Sequence, residues 1–210
     1  MLKVTRIKGG TDNCYLVSDE KKAILIDTAS GASLDKVMSE CDKYDMRLIV
    51  LTHVHFDHAE NAAALSKRYN IPVALHKLDE ELFESYDKQP LKPYGIVGRI
   101  VLSLSLKVLR NTRLERPERL VYVMEGDDLS AYGINAKIIE LPGHTHGSIG
   151  IDVDGTHMFV GDALDNWVRP GIGHLYHDRD EIVISAEKIR NLGDRTVYYG
   201  HGNPTKNGKF

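Results

Sequence analysis

The stretch Thr52-His53-Val54-His55-Phe56-Asp57-His58 decides how this sequence of 210 residues is interpreted. It follows the apolar run Leu48–Leu51, which is typical of a short strand buried on both faces. Three imidazoles and one carboxylate within six positions are hard to explain as packing, although a single histidine is more often structural. If the backbone stays extended, His53 and His55 project to the same side and can reach one metal ion. The stretch therefore predicts a metal site at the end of a strand.

Further ligands are expected downstream, because an open zinc site takes histidine nitrogens and carboxylate oxygens from several strand ends. Three positions follow apolar runs, and their neighbouring glycines allow the backbone to approach a site closely. These positions are His144 in Pro142-Gly143-His144-Thr145-His146-Gly147-Ser148, Asp162 in Val160-Gly161-Asp162, and His201 in Gly200-His201-Gly202. The sequence predicts that they join the first cluster.

Hydrophobic periodicity and turn residues predict a mixture of strands and helices. The predicted strands are Leu2–Ile7, Cys14–Val17, Ala23–Asp27, Leu48–Leu51, Pro72–Leu75, Ile134–Leu141, Ser148–Val153, His157–Val160 and Thr196–Tyr199, and the predicted helices are Ser33–Tyr44, Ala59–Tyr69 and Asp180–Leu192. This mixture indicates a layered α/β or α+β domain with sheets under helices. Between Lys77 and Arg119 the pattern is ambiguous, and length favours a helix over Ile96–Arg110.

Composition limits the function classes. The hydrophobic content of 42% over this length predicts one substantial domain over residues 1–210, and a net charge of −3 gives no reason to expect a nucleic-acid partner. Cys14 and Cys41 alone do not make a disulfide scaffold. No apolar run reaches the ~18 residues of a membrane span, and the first residues lack the pattern of a secretory signal. We therefore expect a cytoplasmic protein without a transmembrane segment.

The motifs HxHxDH, PGHTxGS, GD and GHG, in this order and setting, resemble the metallo-β-lactamase superfamily, and within it the glyoxalase II (hydroxyacylglutathione hydrolase) branch. Asn13–Val17 and Ile26–Thr28 are also similar to the first strands of that branch. The resemblance implies an αββα sandwich, with two mixed sheets between outer helices. It also implies a first metal site of His53, His55 and His144, a second of Asp57, His58 and His201, and Asp162 as the bridge between them.

The chemistry implied by the resemblance is that of a metal-dependent hydrolase with two divalent ions, zinc in the first place and iron or manganese as alternatives. A hydroxide held between the ions would attack a small ester or thioester, and Asp57 would be catalytic by holding it and receiving its proton. Two alternatives stay open: a lactonase, although many lactonases have tyrosine where this sequence has Asp165, and a persulfide dioxygenase with a single iron. The chain ends at Phe210, so we expect the branch without its usual C-terminal helical domain.

Substrate contacts are predicted less directly. The candidates share a position near the implied site, and they are His146, His174, His177, Tyr94 and Arg99. We also expect a helical cap insertion at about residues 77–119, whose apolar stretch Ile96–Leu109 needs a surface to cover it. Packing against the protein's own helices is one way to cover that stretch, and a small-molecule pocket, a homodimer contact and a membrane surface are the others; of these three we favour a cap over a pocket, which could also form a dimer contact.

Overall fold

The computed structural model describes residues 2–210, except for the side chains of Val97 and of residues 107–111. Its strands are β1 (Leu2–Lys8), β2 (Asn13–Asp19), β3 (Lys22–Ile26), β4 (Asp45–Val50), β5 (Val73–Leu75), β6 (Lys92–Pro93), β7 (Leu120–Tyr122), β8 (Ala136–Glu140), β9 (Ile149–Val153), β10 (His157–Phe159), β11 (Leu175–Tyr176), β12 (Thr196–Tyr198) and β13 (Thr205–Lys206). Its α-helices are α1 (Leu34–Cys41), α2 (Phe56–Ala59), α3 (Ala62–Tyr69), α4 (Gly95–Asn111) and α5 (Arg179–Asn191).

Two mixed sheets make up the centre of the molecule. The first has the order β1-β2-β3-β4-β5-β7, and the second has the order β13-β12-β10-β9-β8. In the first sheet β3, β4, β5 and β7 run parallel to one another, and in the second β10 and β12 are parallel. A small two-stranded sheet pairs β6 with β11.

The inner strands of the first sheet, from β2 to β5, are largely buried on both faces, which explains their apolar sequences. In β2, Cys14 and Leu16 pack in one hydrophobic cluster with α1 and α3, while Tyr15 and Val17 point into a second cluster. That second cluster also contains Ile151 and its neighbours in β9, so the two sheets pack against each other. Alternating side chains therefore place one core between the sheets and another under the helices.

The outer face of the second sheet is covered by α5. Met158 of β10 and Val197 of β12 form a third cluster with Ala186 and Ile189 of this helix. With α1 and α3 on the other side, the layers are helix, sheet, sheet and helix. The predicted αββα sandwich is confirmed.

Most predicted elements are present, but one predicted helix needs correction and some short strands were missed. The predicted helix Ala59–Tyr69 is two helices, α2 and α3, and α2 begins earlier, at Phe56. The break has a physical cause: the side chain of Asn61 donates hydrogen bonds to backbone carbonyls at residues 28–30. The strand β7 and the pair β6–β11 were not predicted, because strands of two or three residues are too short to show a period.

Residues 77–119, which we call the middle segment, contain the predicted helix as α4. It is preceded by short 3-10 helices at Lys77–Phe83 and Tyr86–Lys88. Ile96, Ile100 and Leu104 are 78%, 57% and 69% exposed and form a stripe along α4, whereas the side chain of Arg110 lies outside the described residues. The single-domain organisation, the cap role of residues 77–119 and the homodimer stay predictions. Within the part of the chain that the structure describes, no helix is long and apolar enough to cross a bilayer.

Candidate metal centre

The predicted ligands lie where strands of the two sheets end. His53 and His55 follow β4, Asp162 follows β10, and His201 follows β12. Since β10 and β12 are parallel, their carboxyl ends meet at the same edge. His144 reaches the same place from the turn between β8 and β9. Both sheets therefore contribute to one group of seven side chains, which we call the ligand cluster: His53, His55, Asp57, His58, His144, Asp162 and His201.

The ligand atoms of this cluster form three groups, and within each group they lie within 4.8 Å of one another. The groups are His53, His55 and His144; His53, His58 and Asp162; and Asp57, His58 and His201. Asp162 lies between the outer groups, because one carboxylate oxygen is 3.7 Å from Nε2 of His144 and 3.3 Å from Nε2 of His201. The structure thus brings together the residues of each implied ligand set, and their role as metal ligands stays a prediction.

Most of the imidazoles are held by the nitrogen that points away from the cluster. Nδ1 of His144 lies 3.0 Å from the carbonyl of Leu175, and Nδ1 of His201 lies 2.9 Å from the carbonyl of Thr11. A carbonyl only accepts, so Nδ1 donates in both, and the neutral form of each ring then has its lone pair on Nε2, toward the cluster. Such outer hydrogen bonds are what orients histidine ligands in metalloproteins.

The polar atoms of the cluster that lack hydrogen-bond partners test whether it fits a metal ion. Three buried atoms on the inner side of the cluster have no hydrogen-bond partner among the described residues: Nε2 of His53, Nε2 of His58 and Oδ1 of Asp162. Buried polar atoms normally find partners, so several unpaired ones in one cluster need an explanation. Nδ1 of His55 and Nε2 of His144 are 3.0 Å apart, near the ~3.3 Å between two nitrogens on one tetrahedral zinc. The donor set fits divalent cations.

Electrostatics divides the histidines into two classes. Burial, followed by neighbouring imidazoles, lowers the pKa of His55 to about 3 and that of His53 well below its usual value. Burial also opposes the charged form of His58, but Asp162, Asp27 and Asp57 outweigh it and raise the pKa to about 9. In the same way, burial opposes but Asp162 and Asp57 dominate at His201, whose pKa is raised. His58 and His201 in turn lower the pKa of Asp57 and Asp162 against the effect of burial, so these two carboxylates are ionised at neutral pH.

Comparison with known proteins now decides the family. The family model described as the metallo-beta-lactamase superfamily matches residues 7–201, which includes all seven side chains of the ligand cluster. This chain belongs to the metallo-beta-lactamase superfamily. Its members are metal-dependent hydrolases, so the predicted enzyme class is confirmed at that level.

Among superfamily relatives, a hydroxyacylglutathione hydrolase from Haemophilus influenzae is 29% identical over 99% of this chain and 93% of its own length. Among solved structures, TTHA1623 in a di-iron-bound form is 24% identical, with a TM-score of 0.71 over 98% of this chain and 95% of that one. ETHE1 from Myxococcus xanthus is 20% identical, with a TM-score of 0.64 over 98% of this chain and 79% of that one. These structural likenesses support the superfamily fold.

Asp27 holds His58 in place from outside the ligand cluster. Its carboxylate accepts hydrogen bonds from the backbone and hydroxyl of Thr52 and lies 2.9 Å from Nδ1 of His58. The residue is buried and has φ of 57°, a left-handed conformation that costs free energy for a non-glycine residue. Sequence analysis had taken Asp27 as the end of a strand, because its partners are 25 and more residues away.

A second buried carboxylate, Asp79, was not predicted at all. It comes from the first 3-10 helix of the middle segment and is fully buried. Its oxygens accept hydrogen bonds from the backbone N–H groups of Val54 and Gly147, at 3.2 and 2.8 Å, and from the hydroxyl of Thr145 at 2.8 Å. Asp79 therefore connects the loop carrying His53 and His55 to the loop carrying His144.

Two cavities flank the ligand cluster. One, of about 220 Å³, is lined by His55, Tyr86 and both polar and apolar residues of the middle segment. The hydroxyl of Tyr86 is buried there and has no hydrogen-bond partner among the described residues, and its ring lies 5.5 Å from that of His55. An unpaired buried hydroxyl beside a ligand is a candidate donor to substrate, and no local motif marked it.

The other cavity, of about 240 Å³, borders His144 and Asp162, and we call it the Trp167 pocket. His174 lines it, so the structure brings this predicted substrate residue to the cluster. Trp167 stacks on His201 with ring centroids 5.0 Å apart, while it stays 52% exposed. Asp165 is on the same wall, and burial, then the charge of Asp162, raises its pKa to about 6.

The other predicted substrate residues do not line the Trp167 pocket. The ring of Tyr94 is covered by the guanidinium of Arg179 at 3.9 Å. The rings of His146 and His177 pack together at 4.1 Å, and the backbone N–H of His146 donates to Gln89. Arg99 is exposed on α4 and is not among the residues that line the Trp167 pocket. Their roles in substrate binding stay predictions.

Proposed function

We propose that this chain is a two-metal hydrolase of a small ester or thioester. The observation that carries the proposal is the convergence of unpaired ligand atoms from both sheets, with Asp162 between the two outer groups. Each buried polar atom without a partner costs free energy, and metal ions bound at these groups would offset that cost. Two divalent cations at these groups would polarise a substrate carbonyl and provide a nucleophile from water near neutral pH.

The chain's own residues have separable tasks in this proposal. Asp57 keeps its carboxylate ionised, since His58 and His201 overcome the effect of burial and lower its pKa to about 2. A carboxylate at that position can accept a hydrogen bond from water and later take its proton. Asp27 orients His58, and the Tyr86 hydroxyl is available to donate to the substrate oxygen as negative charge develops there.

Relatives support the substrate class without deciding the metal. The Haemophilus influenzae relative is named for hydrolysis of hydroxyacylglutathione, a thioester. TTHA1623 holds two irons, so iron stands beside zinc and manganese as a candidate for this chain. Both cysteines are free and buried, which suits the reducing cytoplasm that we propose for the enzyme.

A substrate panel tests the proposal. Protein stripped with a chelator and reloaded with zinc, iron or manganese should hydrolyse an ester or thioester, and the stripped protein should not. A lactone and a phosphodiester complete the panel, and preference for either one would contradict the proposed class. Oxygen uptake with glutathione persulfide, together with one iron per chain, would instead support a persulfide dioxygenase.

A further inference from the structure

The Trp167 pocket adjoins the ligand cluster but is built of different side chains. His144 and Asp162 form its inner end, while Val101 of α4, Trp167, Val168 and Leu175 supply apolar wall. A carbonyl that reaches His144 and Asp162 would therefore point its substituent along an apolar surface.

Two of the wall residues are exposed to an unusual degree for apolar side chains. Val168 is 94% exposed and Trp167 is 52% exposed, and both are on the loop that follows Asp162. Large exposed apolar side chains at the mouth of a pocket are typical of a ligand-binding surface. An apolar occupant would remove both from water.

The size of the pocket limits the occupant. Its volume is about 240 Å³, whereas an apolar cavity of ~150 Å³ is enough to bind benzene. A phenyl ring with one or two additional carbons, or an unbranched chain of about six carbons, is therefore of suitable size. A two- or three-carbon acyl group would leave much of the wall in contact with water.

The polar members of the pocket restrict the chemistry further. Asp165 is only 9% exposed and faces the pocket, and Gly173 packs beside its carboxylate. A carboxylate on this wall would repel an acyl chain that ends in a negative charge. The cavity on the other side of the cluster has a mixed lining, with Ser85, Gln89 and Arg113 beside apolar residues such as Leu82 and Phe83, and its polar groups could hold an alcohol or thiol portion.

We infer that the Trp167 pocket binds the acyl group of the substrate, and that this group is neutral, apolar and of about six to eight carbons. The inference rests on the proposed hydrolase function and adds the substrate class to it. Val101, on α4, would then be a specificity-determining residue, which would explain why α4 packs closely here, with Gly98 against the carbonyl of His174.

The first experiment compares acyl thioesters of one small polar thiol, N-acetylcysteamine. Each fully buried methylene is worth roughly fourfold in affinity. We expect kcat/KM to rise at least tenfold from the acetyl to the hexanoyl thioester, and to be at least tenfold lower for the adipoyl than for the hexanoyl thioester. Equal values for acetyl and hexanoyl, or for adipoyl and hexanoyl, would overturn the inference.

Variants localise the effect. Val101→Phe should lower the ratio of hexanoyl to acetyl kcat/KM at least tenfold, because the ring occupies the pocket. Ile100→Phe is the matched control, since it adds the same ring at a position that is 57% exposed on the same helix, and it should leave the ratio unchanged. If Val101→Phe does not fold, Val168→Ser tests the mouth at a residue that is 94% exposed and should lower the ratio several-fold. An unchanged ratio in a folded pocket variant would contradict the inference.

Binding can be measured without turnover, because Trp167 is the single tryptophan of the sequence. Its fluorescence should respond to hexanoate with a Kd at least tenfold below that for acetate, and Val101→Phe should abolish the difference. Hexanoate binding without hydrolysis of any thioester would leave the pocket inference standing and refute the hydrolase proposal. Thioester hydrolysis with equal Kd values for hexanoate and acetate would support the hydrolase proposal and refute the pocket inference.

Discussion

Asp79→Asn tests whether a buried carboxylate holds the two ligand loops together. The change keeps the shape of the side chain but replaces one accepting oxygen by an NH2 group. Asp79 accepts from two backbone N–H groups, one on each oxygen, so either orientation of the amide leaves one N–H without an acceptor. An unsatisfied buried N–H costs about 1–3 kcal/mol.

In the wild-type protein, ionisation of the buried Asp79 carboxyl group lowers the stability of the fold, and this loss depends on pH. Burial raises the pKa of Asp79 from 3.8 to about 6, although the hydrogen bonds from Thr145, Gly147 and Val54 act against it. The folded state thus binds this proton more tightly than the unfolded state, and the corresponding stability is complete below about pH 4 and lost as pH rises through about 6. A rise of about two pKa units corresponds to about 3 kcal/mol.

The unsatisfied N–H in the variant and the buried charge in the wild type together predict a difference in unfolding free energy that changes with pH. In metal-free protein, urea unfolding at pH 4 should show Asp79→Asn less stable than wild type by about 1–3 kcal/mol. Near pH 7.5 the difference should fall to about zero or reverse, since the asparagine does not titrate. At that pH the variant should also bind metal at least ~10-fold more weakly, as expected for an outer-shell change. Glu84→Gln, at a side chain that is 73% exposed, is the control. A difference independent of pH would refute the reasoning.

Three further predictions concern the ligand cluster and the cavity that is lined by His55 and Tyr86. Asp57→Asn should keep the fold, as judged by circular dichroism, and lower kcat ~10²–10⁴-fold, whereas wild-type turnover would show that the carboxylate is incidental. Tyr86→Phe should leave urea stability unchanged or increased by up to about 1–2 kcal/mol while lowering kcat/KM about tenfold, because the hydroxyl has no partner to lose among the described residues. Lower stability with unchanged kcat/KM would contradict that role. Chelation should lower the melting temperature by roughly 5–10 °C in calorimetry, reversibly on adding metal, and an unchanged temperature would argue against tight binding.

The ligand cluster was predictable because its signals are local. His53, His55 and His58 stand together after one strand, and His144, Asp162 and His201 each follow an apolar run with glycine beside them. The two-sheet fold followed from resemblance, since the strand pattern alone indicated layers but not their order. Burial on both faces explains why β3 and β4 were easy to locate as apolar runs.

The supporting residues were not predictable in the same way, because their partners are distant along the chain. Asp79 bonds to Thr145, 66 positions away, and Asn61 bonds to carbonyls about 30 positions away. The unpaired hydroxyl of Tyr86 also shows only in three dimensions. A pattern of residue types contains no signal for such contacts until the fold is known.

Metal stoichiometry tests the central claim most directly. Elemental analysis of protein purified without chelator, and again after incubation with excess zinc or iron, should give about two ions per chain. Asp162→Asn, which alters the carboxylate between the two outer groups, should lower the occupancy and weaken what remains. Asp154→Asn, at an exposed turn position with φ of 51°, should keep two ions. A wild-type value that stays at one ion per chain under excess metal would contradict the two-metal account.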